Sequence, residues 1–139
     1  APCPDDMVEI PGGPFFMGSD NAELAVLATA RPAHKVEVVT FCMDKTEVRA
    51  KDYLACSNTG KCKRPPTEAA WPQGSSDEKK WKLETAAGTE LCTGGKPELG
   101  EHPINCLPWQ MAVDYCAEQG KRLPTEMEWE LAARGHDGR

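Results

Sequence analysis

The side chains in this 139-residue sequence with the most chemical potential are seven cysteines, at positions 3, 42, 56, 62, 92, 106 and 116. A thiolate can be a nucleophile, a soft metal ligand or half of a disulfide, and spacing separates these uses. The cysteines are scattered singly. None forms the C-x2-C pair usual in structural zinc sites, and the nearest two, Cys56 and Cys62, are spaced too widely for it. Only Cys62, between Lys61 and Lys63, has flanking cations that would depress a thiol pKa. Cys56, six residues earlier, makes a local disulfide the better reading. So many cysteines in a chain of this size favour structural disulfides and an extracytoplasmic protein, secreted, periplasmic or surface-attached. The expected pairs are Cys56–Cys62, Cys92–Cys106 and Cys3–Cys42, the last because a strand beginning near Met7 can lie beside one spanning Val36–Met43. Seven is odd, so at least one thiol stays reduced or pairs outside the chain.

The other candidates read as structural. Glu126, Glu128 and Glu130 form an acidic cluster, but general acid–base work needs convergence in a cleft, and a helix N-terminus explains the first two. His34, His102 and His136 are too few and too dispersed for a metal site or a triad. The glycine pairs at 12–13 and 94–95 lack the Gly-Lys-Ser/Thr ending of a phosphate loop and read as turns. There is no Gly-x-Ser-x-Gly and no His-Glu-x-x-His. Trp71 and Trp81 read as burial that tacks down a loop, with an aromatic binding platform as the sharper alternative.

The elements that would position these residues follow from pattern. Residues 7–17 alternate and contain Pro11-Gly-Gly-Pro14, predicting a hairpin. The segment from Ala22 to Ala30 has helix-favouring composition, but Pro32 limits its extent, and it reads equally as a loop with one helical turn. Val36–Met43 is β-branched and alternating, a strand. A helix is expected near Ala50–Ser57, with Ala50, Tyr53, Leu54 and Ser57 on one face and Gly60 past its end. Thr59 to Glu101 is dominated by Pro, Gly, Ser, Thr and charge, predicting mostly irregular structure pinned by Cys62 and Cys92. Trp109, Ala112, Val113 and Cys116 recur at helical spacing up to Gly120. In GKRLPTEMEWELAARG (residues 120–135), Thr125 is an N-cap and Glu128 closes a capping box, with Trp129, Ala132 and Ala133 on one face and Arg134 in the last turn before Gly135. Short strands with helices and long irregular stretches indicate an α+β domain.

Sixteen basic and 22 acidic residues give a net charge of −6, which argues against a nucleic-acid or anionic-membrane surface. Apolar runs fall far short of the roughly 20 residues of a membrane helix, and no charged-then-apolar signal segment opens the sequence, so a mature soluble form is expected. One domain accommodates this length.

Three segments, MVEIPGGPFFMGS (7–19), HKVEVVTFCMDKTEV (34–48) and HPINCLPW (102–109) running on to Gly135, resemble, in the same order, the formylglycine-generating enzymes of the sulfatase-modifying-factor family. The signature includes Arg122, Thr125, Glu126, Glu128 and Trp129. Two departures concern capping: Pro108 and Arg49 stand where the family usually has a small hydroxyl residue. The resemblance implies a C-type-lectin-like fold low in regular secondary structure, of which residues 1–139 are the N-terminal part, with a loop-rich segment at about 58–101. It further implies oxygen-dependent oxidation of a sulfatase cysteine to formylglycine by copper held on two thiolates. None of the seven cysteines matches those two positions, so the copper, and any structural calcium, would belong to a C-terminal part. Cys116 matches a family cysteine that pairs with that later part, so the implied partner is a C-terminal fragment linked through Cys116, and Arg139 would be a cleavage boundary. On this reading the chain alone has no catalytic site. The competing reading is a non-catalytic extracytoplasmic module on the same fold that binds a protein or ligand, and a third is a disulfide-stabilised structural domain.

Overall fold

Met7–Met17 and His34–Asp44 are rich in β-branched and aromatic residues, and they pair with each other rather than folding back on themselves. In the computed structural model, which describes residues 1–21, 23, 25–75 and 77–137, β1 (Met7–Ile10) runs antiparallel to β4 (Phe41–Asp44) and β2 (Gly13–Met17) to β3 (His34–Val38). One register runs through both pairs, Ile10 opposite Phe41 and Gly13 opposite Val38, so they form one long ribbon with a break in its ladder. The expected hairpin over 7–17 is therefore corrected, and so is the single strand Val36–Met43. Pro11 has no N–H for the ladder, and Gly12 donates its own to Thr40 Oγ1 at 2.9 Å. A Cβ on Gly12 would lie 2.2 Å from the Val38 carbonyl oxygen, so only glycine lets the strands approach here. The Pro-Gly-Gly-Pro segment interrupts the ribbon, and residues 18–33 make the reversal. That connection contains a 3-10 helix at Ala25–Ala30; Ala22, the start of the helix expected there, and Arg139 lie outside the described residues.

The chain forms two compact units, residues 1–45 with 124–139 and residues 46–123. In the first, α4 (Glu126–Arg134) packs on β2 and β3. Phe15, Val38 and Leu131 are buried there, with Ile10, Met17, Val36 and Phe41 packed around them. The face of α4 differs from the expectation: Leu131 is 2% exposed, Trp129 63%, and Ala133 is also exposed. Cys3 and Cys42 are joined, tying the N-terminal segment to β4.

The second unit holds α1 (Ala50–Asn58), α2 (Glu78–Glu90) and α3 (Trp109–Glu118). The stripe buried on α1 is Ala50, Tyr53 and Cys56, with Cys56 in place of the expected Leu54 and Ser57 because Cys62 holds it by a disulfide. Gly60 follows α1 at φ 77°, a conformation glycine adopts without strain. The middle segment is more regular than expected. Asp77 caps α2 by accepting from the amides of Lys79 and Lys80, and a run of good helix formers follows, while prolines and glycines cluster on either side. Trp71 lies over Gly88 of this helix, where a Cβ would come within 2.5 Å of its ring. Trp81 donates its indole N–H to the Trp71 carbonyl at 2.9 Å. Trp71 does tack the loop to α2, yet half of it stays exposed. On α3, Trp109 is 72% exposed, so the expected apolar face lacks its first member. The described elements thus combine four helices with small antiparallel sheets, an α+β arrangement, and none of these helices is long and apolar enough to cross a membrane.

Candidate functional site

The signature residues of α4 sit in a structural network. Thr125 Oγ1 accepts from the Glu128 amide at 3.2 Å and Glu128 Oε1 accepts from the Thr125 amide at 2.8 Å, so the capping box is closed on both sides. Glu128 is 6% exposed. Glu130 accepts the Gly18 amide on both carboxylate oxygens, at 3.1 and 3.2 Å, and pairs with Arg134 at 2.9 Å. Arg134 in turn donates to the Gly18 carbonyl at 2.7 Å. Glu126 is exposed in the first turn. Glu128 thus caps a helix, Glu130 clamps a turn and Glu126 stays exposed; the three do not converge on a cleft. Arg122 is exposed and donates to the Leu123 carbonyl.

The histidines also lie apart. His34 Nδ1 is 3.0 Å from the Pro32 carbonyl, and His102 supplies the carbonyl that receives the Ala50 amide at 2.8 Å. That contact, with Lys51 N–H to the Gly100 carbonyl at 2.9 Å, explains how α1 does without a side-chain cap at Arg49: backbone carbonyls of residues 100–102 satisfy its first amides. Pro108 likewise makes no side-chain cap on α3. His136 brings its ring nitrogens to the Pro11 and Pro14 carbonyls at 3.0 and 3.2 Å, holding the chain after α4 against the ribbon break.

A concave site does form within residues 46–123. A cavity of about 250 Å³ opens between Val48 just before α1, Tyr53 on α1, the loop Ile104–Leu107, α3 and Leu123. Tyr53, Tyr115, Cys106 and Cys116 line it. The two tyrosine rings are 5.4 Å apart, and Tyr53, 1% exposed, donates its hydroxyl to the Lys63 carbonyl at 2.8 Å. Burial, with a smaller contribution from the negative charge of Asp114, pushes the Tyr53 hydroxyl above its ordinary range. Sequence reasoning named Tyr53 only as a core position. It missed Asn105, which also lines the cavity and organises the neighbouring loops: its Oδ1 accepts the Thr93 amide at 2.8 Å and its Nδ2 donates to the Leu91 carbonyl at 2.8 Å. An asparagine beside a cysteine in a turn-rich stretch was the available signal.

Six cysteines are joined as Cys3–Cys42, Cys56–Cys62 and Cys92–Cys106, and Cys116 forms no disulfide within the chain. Among the described residues no group of three or more His, Cys, Asp or Glu could hold a metal ion. A copper ion on two thiolates does not fit this set, because one thiol is left when six cysteines are in disulfides.

An α+β chain with this capped signature helix and disulfide-pinned loops has the marks of one family, and comparison with known proteins identifies it. The chain matches the family described as "Sulfatase-modifying factor enzyme 1-like domain" over residues 2–139, and it belongs to that family. It is 33% identical to a formylglycine-generating enzyme of Mus musculus, over 93% of this chain and 40% of that protein. It is 30% identical to the "Inactive C-alpha-formylglycine-generating enzyme 2" of Bos taurus, over 94% of this chain and 49% of that protein. A hercynine oxygenase of Mycolicibacterium smegmatis is 31% identical, over 90% of this chain and 30% of that protein. The chain therefore spans less than half the length of these relatives.

Proposed function

We propose that residues 1–139 form the N-terminal part of a single formylglycine-generating-enzyme-like domain on a C-type-lectin-like scaffold, in an extracytoplasmic protein. The complete domain would oxidise a cysteine of a protein substrate to formylglycine, with a C-terminal part supplying the copper-binding thiolates and any structural calcium. The observation that carries this reading is the family match over residues 2–139 combined with a cysteine set that has one thiol outside disulfides. In this arrangement the chain described here positions and closes a scaffold; it supplies no reacting group. Cys116, at the cavity wall, would be the covalent link to the C-terminal part. Three disulfides support an oxidising compartment.

Production of the chain alone and together with the segment encoded after Arg139 tests this, using conversion of a cysteine-containing peptide to an aldehyde read by mass spectrometry. Conversion is expected only with the longer form, in the presence of oxygen and copper. Conversion by residues 1–139 alone would overturn the reading. A second reading, a non-catalytic binding module, is favoured by the similarity to relatives named as inactive, 30% identical in Bos taurus and in Mus musculus. It predicts a following segment without two neighbouring cysteines.

A further inference from the structure

Helix α3, with the sequence WQMAVDYCAE, is apolar along most of its length, yet none of its residues is buried. In a finished domain such a helix turns its apolar face to a core. The core it leans on is centred on Tyr53, with Cys56 and Cys62 beside it. Val48, Ile104, Leu107, Met111 and Tyr115 pack around that centre and stay only partly buried. Between them lies the cavity of about 250 Å³, with Ala112 and Leu123 also on its walls. The core of residues 46–123 is thus open on the side that α3 faces.

The walls select the chemistry of what fills this space. None of the side chains lining it is charged, so it has no means to hold an ion. The Tyr53 hydroxyl is bonded to the Lys63 carbonyl, and the Asn105 amide group to Thr93 and Leu91. Ordered water needs several polar partners, and a free small molecule needs a few placed polar groups to fix its orientation. Walls of this kind favour an apolar group oriented by a chain of its own. Size and shape favour a ring: a dry cavity of ~150 Å³ already takes up benzene, and the Tyr53 and Tyr115 rings, 5.4 Å apart, present aromatic surface for an offset contact.

The relatives indicate where such a group comes from. More than half the length of the formylglycine-generating enzyme of Mus musculus, and of the inactive relative of Bos taurus, lies outside the part that this chain matches. We propose, resting on the two-part reading of the domain given above, that the cavity is a socket for one aromatic side chain carried by the C-terminal part. The seated ring touches the residue before α1, α1 itself, the loop before α3, α3 and Leu123, so a single side chain closes the core and gives α3 the burial it lacks. The C-terminal part is then held by packing, independently of any covalent link.

Toluene serves as the probe. Added to residues 1–139, it should shift the methyl NMR signals of Val48, Ile104, Leu107 and Leu123 saturably, and leave in place those of Val38 and Leu131 in the other unit. In the longer form, which includes the segment encoded after Arg139, these shifts should be lost. Shifts in both forms would make the cavity a site for free small molecules and overturn the proposal, as would their absence from a folded 1–139 chain. Should residues 1–139 not fold alone, the longer form decides. Ala112→Leu and Ala112→Phe add bulk at the cavity wall, so with a side chain already seated they should lower its melting temperature, Phe more than Leu. An unchanged or raised melting temperature, the outcome of filling an empty cavity, would refute the socket. Neither readout involves peptide oxidation: toluene excluded from a longer form that converts no peptide would leave the socket standing and the oxidase reading overturned, and toluene bound by a converting longer form would do the reverse.

Discussion

Residues 1–45 with 124–139 and residues 46–123 hold themselves together by different means. The first unit joins segments more than 100 residues apart in sequence: Gly18 meets Glu130 and Arg134, and His136 meets Pro11 and Pro14. Its centre is an apolar contact of a ribbon with a helix, through Phe15, Val38 and Leu131. The second is built from contacts closer in sequence, two short disulfide loops and side-chain hydrogen bonds, with buried Thr93 and exposed Asn105 bonding several loop carbonyls and amides and Tyr53 holding Lys63. A long-range core specifies register strongly but is lost all at once when one member goes. Local staples each constrain little, and they fail one at a time.

The disulfides should show the largest contrast. Cys3–Cys42 bridges a separation of 39 residues and Cys56–Cys62 one of 6. On the chain-entropy account, replacing the first pair by serine costs about 4 kcal/mol and the second about 2 kcal/mol. Thermal or urea unfolding of the two double variants measures this. Equal losses would show that loop closure is not what these bonds contribute.

Leu131→Ala comes next. Leu131 is 2% exposed at the centre of the ribbon–helix contact, so the truncation should cost about 3 kcal/mol, from lost transfer energy and the cavity left behind. Hydrogen exchange would locate the damage. Amides of β2 and β3 should lose protection while those of α1 keep it; uniform loss across both would mean that the two units unfold as one cooperative block.

The same contrast governs what could be read in the sequence. The α4 capping box was legible because its two partners are three residues apart and the pattern is local. Helix α1 and the short Cys56–Cys62 loop were legible for similar reasons. The hairpin over 7–17 was misread because proline–glycine chemistry signals a turn, whereas the ribbon partner 34–44 uses Gly12 for close approach. On α4 the period was right, but the composition drew attention to Trp129; which face is buried depends on Phe15 and Val38, far away in sequence. Helix α2 was hidden by averaging composition over a long segment in which prolines and glycines flank a helical run. The cavity was illegible altogether, since its walls come from three separate stretches.

A smaller effect is expected at Tyr53. Tyr53→Phe keeps the ring contact with Tyr115 and removes the bond to the Lys63 carbonyl, a loss of about 1 kcal/mol. Its pH dependence carries the sharper information. The folded state raises the Tyr53 pKa by burial first and by Asp114 second, so it holds the proton more tightly than the unfolded chain does. The stability this represents is complete below the unfolded value of about 10 and is lost as pH rises through the folded one. The native chain should therefore weaken in alkali more steeply than Tyr53→Phe. Parallel alkaline unfolding curves would remove Tyr53 from the account.

Smallest of all should be Glu101→Gln. Glu101 joins Lys51 and, at 3.0 Å, Arg49, across side chains that are 41–68% exposed. Its carboxyl is held below the usual carboxylate range, chiefly by the hydrogen bond from Lys51, opposed next by desolvation, and then further by the charges of Lys51 and Arg49 and the hydrogen bond from Arg49. A depressed carboxyl contributes stability that is present above the unfolded pKa and lost as pH falls through the folded one. The contribution is trimmed by solvent and by salt at such an exposed site. Moreover, α1 is already anchored there by backbone bonds from Ala50 to the His102 carbonyl and from Lys51 to that of Gly100, which Gln leaves intact. Glu101→Gln should thus be nearly neutral at pH 7 in physiological salt, and should flatten slightly the loss of stability below about pH 4.5 seen in the unaltered chain. A loss at neutral pH as large as that of Leu131→Ala would mean that charge, not backbone bonding, docks α1 to this loop, and the two units would then differ in kind far more than their cores suggest.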